Sequence, residues 1–280
     1  LQLDIASQSR FHFPRSIVDW NAALNLLTHD RYARLLRWLA AKGEPAPGRD
    51  AMESVSELGK LLIISPHGDD AIFACGEVMA SRRGLILVSL FAGLPSPALP
   101  LTDWDAAGGF SNTHEAVVQR REEHGRAVEL LHATPILLDF LGSQYSDPPG
   151  AIGLAETIAA VLDEENPDSV MLPAGLYHAD HILTHQAALM ARTRDPQRQW
   201  LLYEDSFYRR MPTLLQQRLT GLVHFGIEAT PVAFDTHAQA ERKRHAVQCY
   251  ASQLRALAAP GRPGHSDIFA PEGYWRLSAA

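Results

Sequence analysis

The run Leu61-Leu62-Ile63-Ile64-Ser65 ends in Pro66-His67-Gly68-Asp69-Asp70. An uncharged apolar stretch this short, closed by proline and glycine, reads as a strand buried on both faces, since strands inside parallel sheets are continuously apolar rather than alternating. Its polar ending then falls at the C-terminal edge of the sheet, where α/β proteins gather ligands and chemistry. His67 and Asp70 can hold one divalent metal there, which leaves Asp69 between them free for proton transfer.

The rest of the chain supplies the sheet that such a strand needs. Apolar runs recur at Leu85 to Phe91, Ile136 to Phe140, Ser169 to Leu172 and Trp200 to Tyr203. Helical patterns lie between them, at Cys75 to Ser81, Glu115 to His132, Leu154 to Asp163 and His181 to Arg192. Strand and helix in alternation argue for an α/β fold, a mostly parallel sheet with helices on both faces. Val223 to Phe234 reads as an added strand pair and His237 to Leu257 as a late amphipathic helix. Upstream, Trp20, Leu24, Leu27, Tyr32, Leu35, Leu36 and Leu39 recur at helical spacing before the break Gly43-Glu44-Pro45-Ala46-Pro47-Gly48. Residues 1–58 are thus expected as an N-terminal helical extension of a single domain whose catalytic core spans 59–280.

Composition excludes several classes. Acidic residues outnumber basic ones, 32 to 25, and the one basic cluster, Glu241 to His245, fits a solvated helix face, so no nucleic-acid partner is expected. No apolar run is long enough to span a bilayer. Leu1 to Phe13 lacks the charged and apolar blocks of a signal peptide, which makes the cytoplasm the expected location. Cys75 and Cys249 are too few for a disulfide framework. There is no Gly-x-Ser-x-Gly elbow, phosphate-binding Gly-x-x-x-x-Gly-Lys-Ser/Thr or Gly-x-Gly-x-x-Gly.

A catalytic zinc site takes three protein ligands and leaves a position for water. The third should come from another strand tip, and Met171-Leu172-Pro173-Ala174-Gly175-Leu176-Tyr177-His178-Ala179-Asp180-His181 fits. Again an apolar run breaks at proline and glycine, and again a His/Asp cluster follows. Singly, Asp69 or Asp70 reads as a helix cap; jointly, ligand type, strand-tip placement and pairing favour a metal centre. His185, one turn after His181, reads as a further ligand or, in preference, as exposed or a neighbour of the ligands, and His114, His124, His132, His224, His237, His245 and His265 as bystanders.

At these residues the chain resembles the PIG-L/LmbE-like zinc-dependent de-N-acetylases. His67-Gly68-Asp69-Asp70 is similar to a His-Pro-Asp-Asp motif, and His178-Ala179-Asp180-His181 to a later His-x-Asp-His. Arg120, Glu123 and Ala127 follow in an Arg-x-x-Glu-x-x-x-Ala helix, then Tyr203-Glu204-Asp205. Lys243, Ala246, Tyr250, Ser252 and Gln253 complete the ordered set. The resemblance implies a Rossmann-like fold and removal of the acetyl or another acyl group from an N-acylated amino sugar, such as an N-acetylglucosaminyl glycoside or antibiotic precursor. It implies one Zn2+ per chain, with Fe2+ also compatible with the ligand set. His67, Asp70 and His181 would bind the metal, Asp69 would be the general base, His178 would stabilise the oxyanion and could protonate the amine, and Asp180 would orient His178. Two departures stand out: Gly68 replaces the proline, loosening the backbone, and Ala71 replaces an acidic residue.

Sugar contacts must come from loops. Gly93 to Asn112, with three prolines and no periodicity, follows the second strand and should overhang the site. Trp104 offers a flat face to a pyranose, and Arg120 and Tyr145 can bond hydroxyls; alternatively Trp104 anchors the loop and Arg120 pairs with Glu123. A non-catalytic, metal-containing sugar-binding protein of the same fold is the competing reading, and the retained Asp69 argues against it, since binding needs no base.

Overall fold

A computed structural model describes residues 52–147 and 149–279. The expected helices of the N-terminal extension lie outside them, apart from a single turn at Val55–Leu58.

Among the described residues, seven strands form one sheet: β1 (Leu61–Ser65), β2 (Ile86–Ser89), β3 (Thr134–Leu137), β4 (Ser169–Pro173), β5 (Gln199–Tyr203), β6 (Ile227–Val232) and β7 (Tyr274–Ala279), in the order β3-β2-β1-β4-β5-β7-β6. The first five pair in parallel, and β7 runs antiparallel to both β5 and β6. The chain winds outward from β1 through β2 to β3, then returns to place β4 on the other side of β1. The tips of β1 and β4 are therefore the point where the winding reverses, and the connections leaving them part to open a crevice.

The helices are α1 (Asp70–Ala80), α2 (Asp103–Ala107), α3 (Thr113–Leu130), α4 (Ala151–Glu165), α5 (Ala179–Arg192), α6 (Leu214–His224), α7 (Ala240–Gln248) and α8 (Ala251–Leu257). Strand alternation decides what each helix covers. Leu61 and Ile63 point into a core shared with Ile72, Val78, Val128 and Val247, whereas Leu62 and Ile64 face Leu154, Ile158, Ala188 and Leu222. Helices α1, α3 and α7 thus cover one face and α4, α5 and α6 the other, as the alternating pattern predicts. Among the described residues no helix is long and apolar enough to cross a membrane.

Three sequence expectations change. Val223 to Phe234 holds the end of α6 and the single strand β6, whose partner is the C-terminal β7 rather than a neighbouring hairpin strand. The late helix breaks at Tyr250 (φ −88°, ψ 55°) into α7 and α8. The Gly93–Asn112 connection contains α2, capped by Thr102, whose side chain accepts from the Asp105 amide.

Candidate metal and catalytic site

The crevice holds both His/Asp clusters. His67 leaves the tip of β1, Asp70 opens α1, and His181 lies in the first turn of α5 after β4. Nδ1 of His67 is 3.0 Å from Oδ2 of Asp70, and Nε2 of His181 is 3.2 Å from the same oxygen. Ligands about 2.0–2.1 Å from a tetrahedral metal stand roughly 3.3 Å apart, so this spacing suits one cation among the three.

The opposite ring nitrogens are also held. Nε2 of His67 lies 2.9 Å from Oδ2 of Asp180, and Nδ1 of His181 lies 2.6 Å from Oδ1 of Asp205. Each imidazole is therefore backed by a carboxylate that is 1% exposed. Metal-bound histidines are oriented and made more basic by such partners. His67, His178 and Asp180 form a second possible triad, using the other nitrogen of His67. Among the described residues no carboxylate is hydrogen-bonded to the His178 ring, whose Nδ1 accepts from a backbone amide, so the first triad fits a cation better.

Charge points the same way. Burial opposes protonation of His67, yet Asp70 and Asp180 outweigh it and push its pKa up to about 9. Burial likewise opposes protonation of His181, but Asp70 and Asp205 hold its pKa well above the usual histidine value. Without metal, protons supply the positive charge that Asp70, Asp180 and Asp205 demand; a divalent cation satisfies the same demand.

Asp69 is set apart. Although it is the N-cap of α1, its side chain makes no capping bond, so the cap explanation fails for it. Burial and the charge of Asp70 push its pKa up to about 6, against the pull of His67 and Arg120. Asp70, by contrast, accepts from the His67 amide at 2.8 Å.

His178 caps α5: the Asp180 amide donates to its Nδ1 at 3.2 Å. Burial, and then the nearby His67 and His181, lower its pKa to about 4. The neutral ring with an accepting Nδ1 carries its proton on Nε2. Asp180 differs from the expectation. Its carboxylate engages His67 and the Ser143 amide, and it touches His178 only through its own backbone N–H. The Ser143 contact depends on Gly142, where an added Cβ would come within 3.1 Å of Asp180 Oδ2.

The expected substrate contacts prove to be engaged with the protein itself. Trp104 Nε1 donates to Gln253 at 2.9 Å, its ring packs against the core, and Arg262 lies over the indole at 5.2 Å. That is the loop-anchor alternative. Arg120 pairs with the buried Asp105 and donates to Tyr145 Oη, which in turn donates to Asp105 at 3.0 Å. Glu123, the alternative partner of Arg120, instead accepts from the Ser252 hydroxyl and amide.

Three residues were missed or misjudged from sequence. Asp205 belonged to a recognised motif, but its contact with His181 was not foreseen. His124, expected as a bystander, is buried and approaches the Gly68 carbonyl at 2.9 Å, while the Tyr250 hydroxyl donates to the same oxygen at 2.8 Å. Gly68 is consequently pinned rather than loosened, and its missing side chain leaves room for His124, whose Nδ1 would lie 3.0 Å from an added Cβ. His185, read as a further ligand, as exposed or as beside the ligands, is 1% exposed, hydrogen-bonds the Pro173 carbonyl at 2.8 Å and is in neither candidate metal group.

Fold and site together define a doubly wound α/β protein with a His/Asp cluster at its reversal point, suited to one divalent cation. Residues 62–192, a stretch that contains both clusters, match the family model PIG-L, described as GlcNAc-PI de-N-acetylase. No curated protein matches the sequence. Among solved structures, the zinc-inhibited form of teicoplanin deacetylase Orf2 is similar at 22% identity and TM-score 0.65, over 79% of this chain and 98% of that one. The A40926 pseudoaglycone deacetylase Dbv21 is 25% identical, with TM-score 0.63 over the same shares. GalB, the 4-carboxy-2-hydroxymuconate hydratase of Pseudomonas putida KT2440, is similar at 16% identity and TM-score 0.52, over 78% of this chain and 95% of that one.

Proposed function

We propose that the protein is a metal-dependent hydrolase that removes an acetyl or related acyl group from an N-acylated amino sugar, with residues 59–280 as its catalytic domain. The supporting observation is the convergence of His67 and His181 on one Asp70 oxygen, each imidazole backed by a buried carboxylate, beside an uncapped Asp69. Two of the similar solved proteins are a teicoplanin deacetylase and a deacetylase of the pseudoaglycone of the antimicrobial A40926. By that analogy the substrate is an amino sugar carried on a larger small molecule.

His67, Asp70 and His181 would hold the metal, Zn2+ or Fe2+. A divalent ion bound there supplies Lewis acidity, polarising an acyl carbonyl and lowering the pKa of water from 15.7 to about 7. Asp69 accepts the proton that the attacking water loses. It then returns that proton to the amide nitrogen as the C–N bond breaks, so one carboxylate serves as base and acid in turn. His178, neutral and protonated on Nε2, donates to the oxygen that becomes negative in the tetrahedral intermediate. A donor of that kind contributes about 2.7–4 kcal/mol.

Incubating metal-loaded protein with a panel of N-acylated amino sugars, with detection of free amine and acid, tests the reading. Amine release from an N-acetylglucosaminide, with about one zinc per chain, is expected. A panel that binds but yields no amine would instead favour a sugar-binding protein.

Asp205→Asn tests the arrangement behind His181. It keeps the shape but loses the charge, and metal affinity measured against a competing chelator should fall about 10–100-fold. Undiminished affinity would mean that His181 is held without Asp205.

A further inference from the structure

Tyr177 has a conformation and an exposure that the core does not explain. It sits between the β4 tip and the cap residue His178, with φ 58°, in the left-handed region that bulky L-residues rarely adopt. Its residue is nevertheless 62% exposed. Its ring faces that of Tyr208, with centroids 5.3 Å apart and planes tilted by 35°. Tyr208 in turn meets the ring of His181 edge-on at 5.3 Å.

Tyr208 is firmly placed. The preceding Phe207 also has a positive φ, 69°, and its amide is tied to the Asp267 carboxylate at 2.6 Å. Arg209 clamps the same carboxylate at 3.1 Å. Among the described residues, neither phenol oxygen is hydrogen-bonded to the protein. Two strained backbone positions thus hold a row of rings that runs from His181 outward to solvent. Backbone strain of this kind collects at functional sites, where surrounding structure enforces it.

We propose that Tyr177 and Tyr208 form an aromatic subsite beside the metal centre, receiving the flat apolar face of a substrate ring next to the reacting amide. The identity of that amide rests on the proposed deacylase function. Offset ring stacking fits the exposed Tyr177 face, and the free hydroxyls suit polar edges of the same ligand. The ring is either the pyranose, through its C–H face, or an arene attached to the sugar, and the experiment separates the two.

The test uses metal-loaded Asp69→Asn protein, in which turnover is slowed enough for binding to be measured. Calorimetric titration compares the methyl and phenyl glycosides of N-acetylglucosamine, alone and with Tyr177→Ala or Tyr177→Phe added. Tyr177→Ala should weaken binding about five-fold, and Tyr177→Phe should restore it, because stacking needs the ring and not the hydroxyl. Loss for the phenyl glycoside alone assigns the subsite to an arene; equal loss for both assigns it to the pyranose. Unchanged affinity in Tyr177→Ala, or no binding of either glycoside to the parent protein, overturns the subsite. Amine release by the unsubstituted protein is assayed in parallel, so that binding with Tyr177 dependence but no release counts against deacylation and leaves the subsite standing.

Discussion

Asp69→Asn should lower kcat by about 10²–10⁴-fold, the range a positioned general base contributes, while the metal content stays at the wild-type level. Asparagine matches the size of aspartate but cannot take a proton. The fold should not suffer, because the Asp69 side chain makes no capping bond to α1 and its removal leaves no helix amide unsatisfied. Metal retention should follow from the geometry as well, since the atoms that converge belong to His67, Asp70 and His181. A base acts only as the transition state forms, so kcat and kcat/KM should fall together with KM little changed. Steady-state kinetics with metal analysis on the same preparation decides the matter. Retained turnover would remove Asp69 from the chemistry, and lost metal would make it a ligand.

The largest effect on stability is expected far from the site, at Lys243→Met. Lys243 is 1% exposed, and its ammonium pairs with Glu272 at 2.8 Å, with both side chains almost wholly buried. The stem lies across α1 where Gly76 makes space for it: a Cβ there would come within 2.5 Å of Lys243 Cγ. Methionine fills the same volume but leaves the Glu272 carboxylate without its cation. Removing one partner of a buried pair costs about 3–5 kcal/mol, because the remaining charge is uncompensated in a poor dielectric. Urea unfolding of the two proteins should show that loss in the midpoint at equal m. A double substitution that also replaces Glu272 by Gln should recover part of it; failure to do so would mean that packing, not charge, dominates.

The parallel core was readable because burial on both faces leaves a continuous apolar signature, as at Leu61–Ile64 and Val170–Leu172, with proline or glycine at the exit. The edge was not. β6 and β7 carry mixed burial and pair across more than forty residues of chain, so neither shows a local pattern that names its partner. The two clusters were legible as residue types at strand tips, whereas the contacts behind them were not. Asp205 meets His181, and Asp180 turns to His67, only because β1, β4 and β5 lie side by side. His124 and Tyr250 converge on Gly68 from α3 and the α7–α8 break, a meeting without any sequence spacing to announce it. Arg120 and Tyr145, read as separate contacts to sugar hydroxyls, are instead joined through the buried Asp105, which nothing in the loop's sequence singles out.

The polar cluster also acts on the sheet that carries it. His67 comes from the end of β1, Ser143 from the chain beyond β3, His181 from that beyond β4, and Asp205 from that beyond β5, and Asp70 and Asp180 tie them to one another. A cation seated among them would act as a rivet through four separately wound segments. Its occupancy would then be felt in how cooperatively the whole parallel half comes apart, as well as in whether the protein can do chemistry.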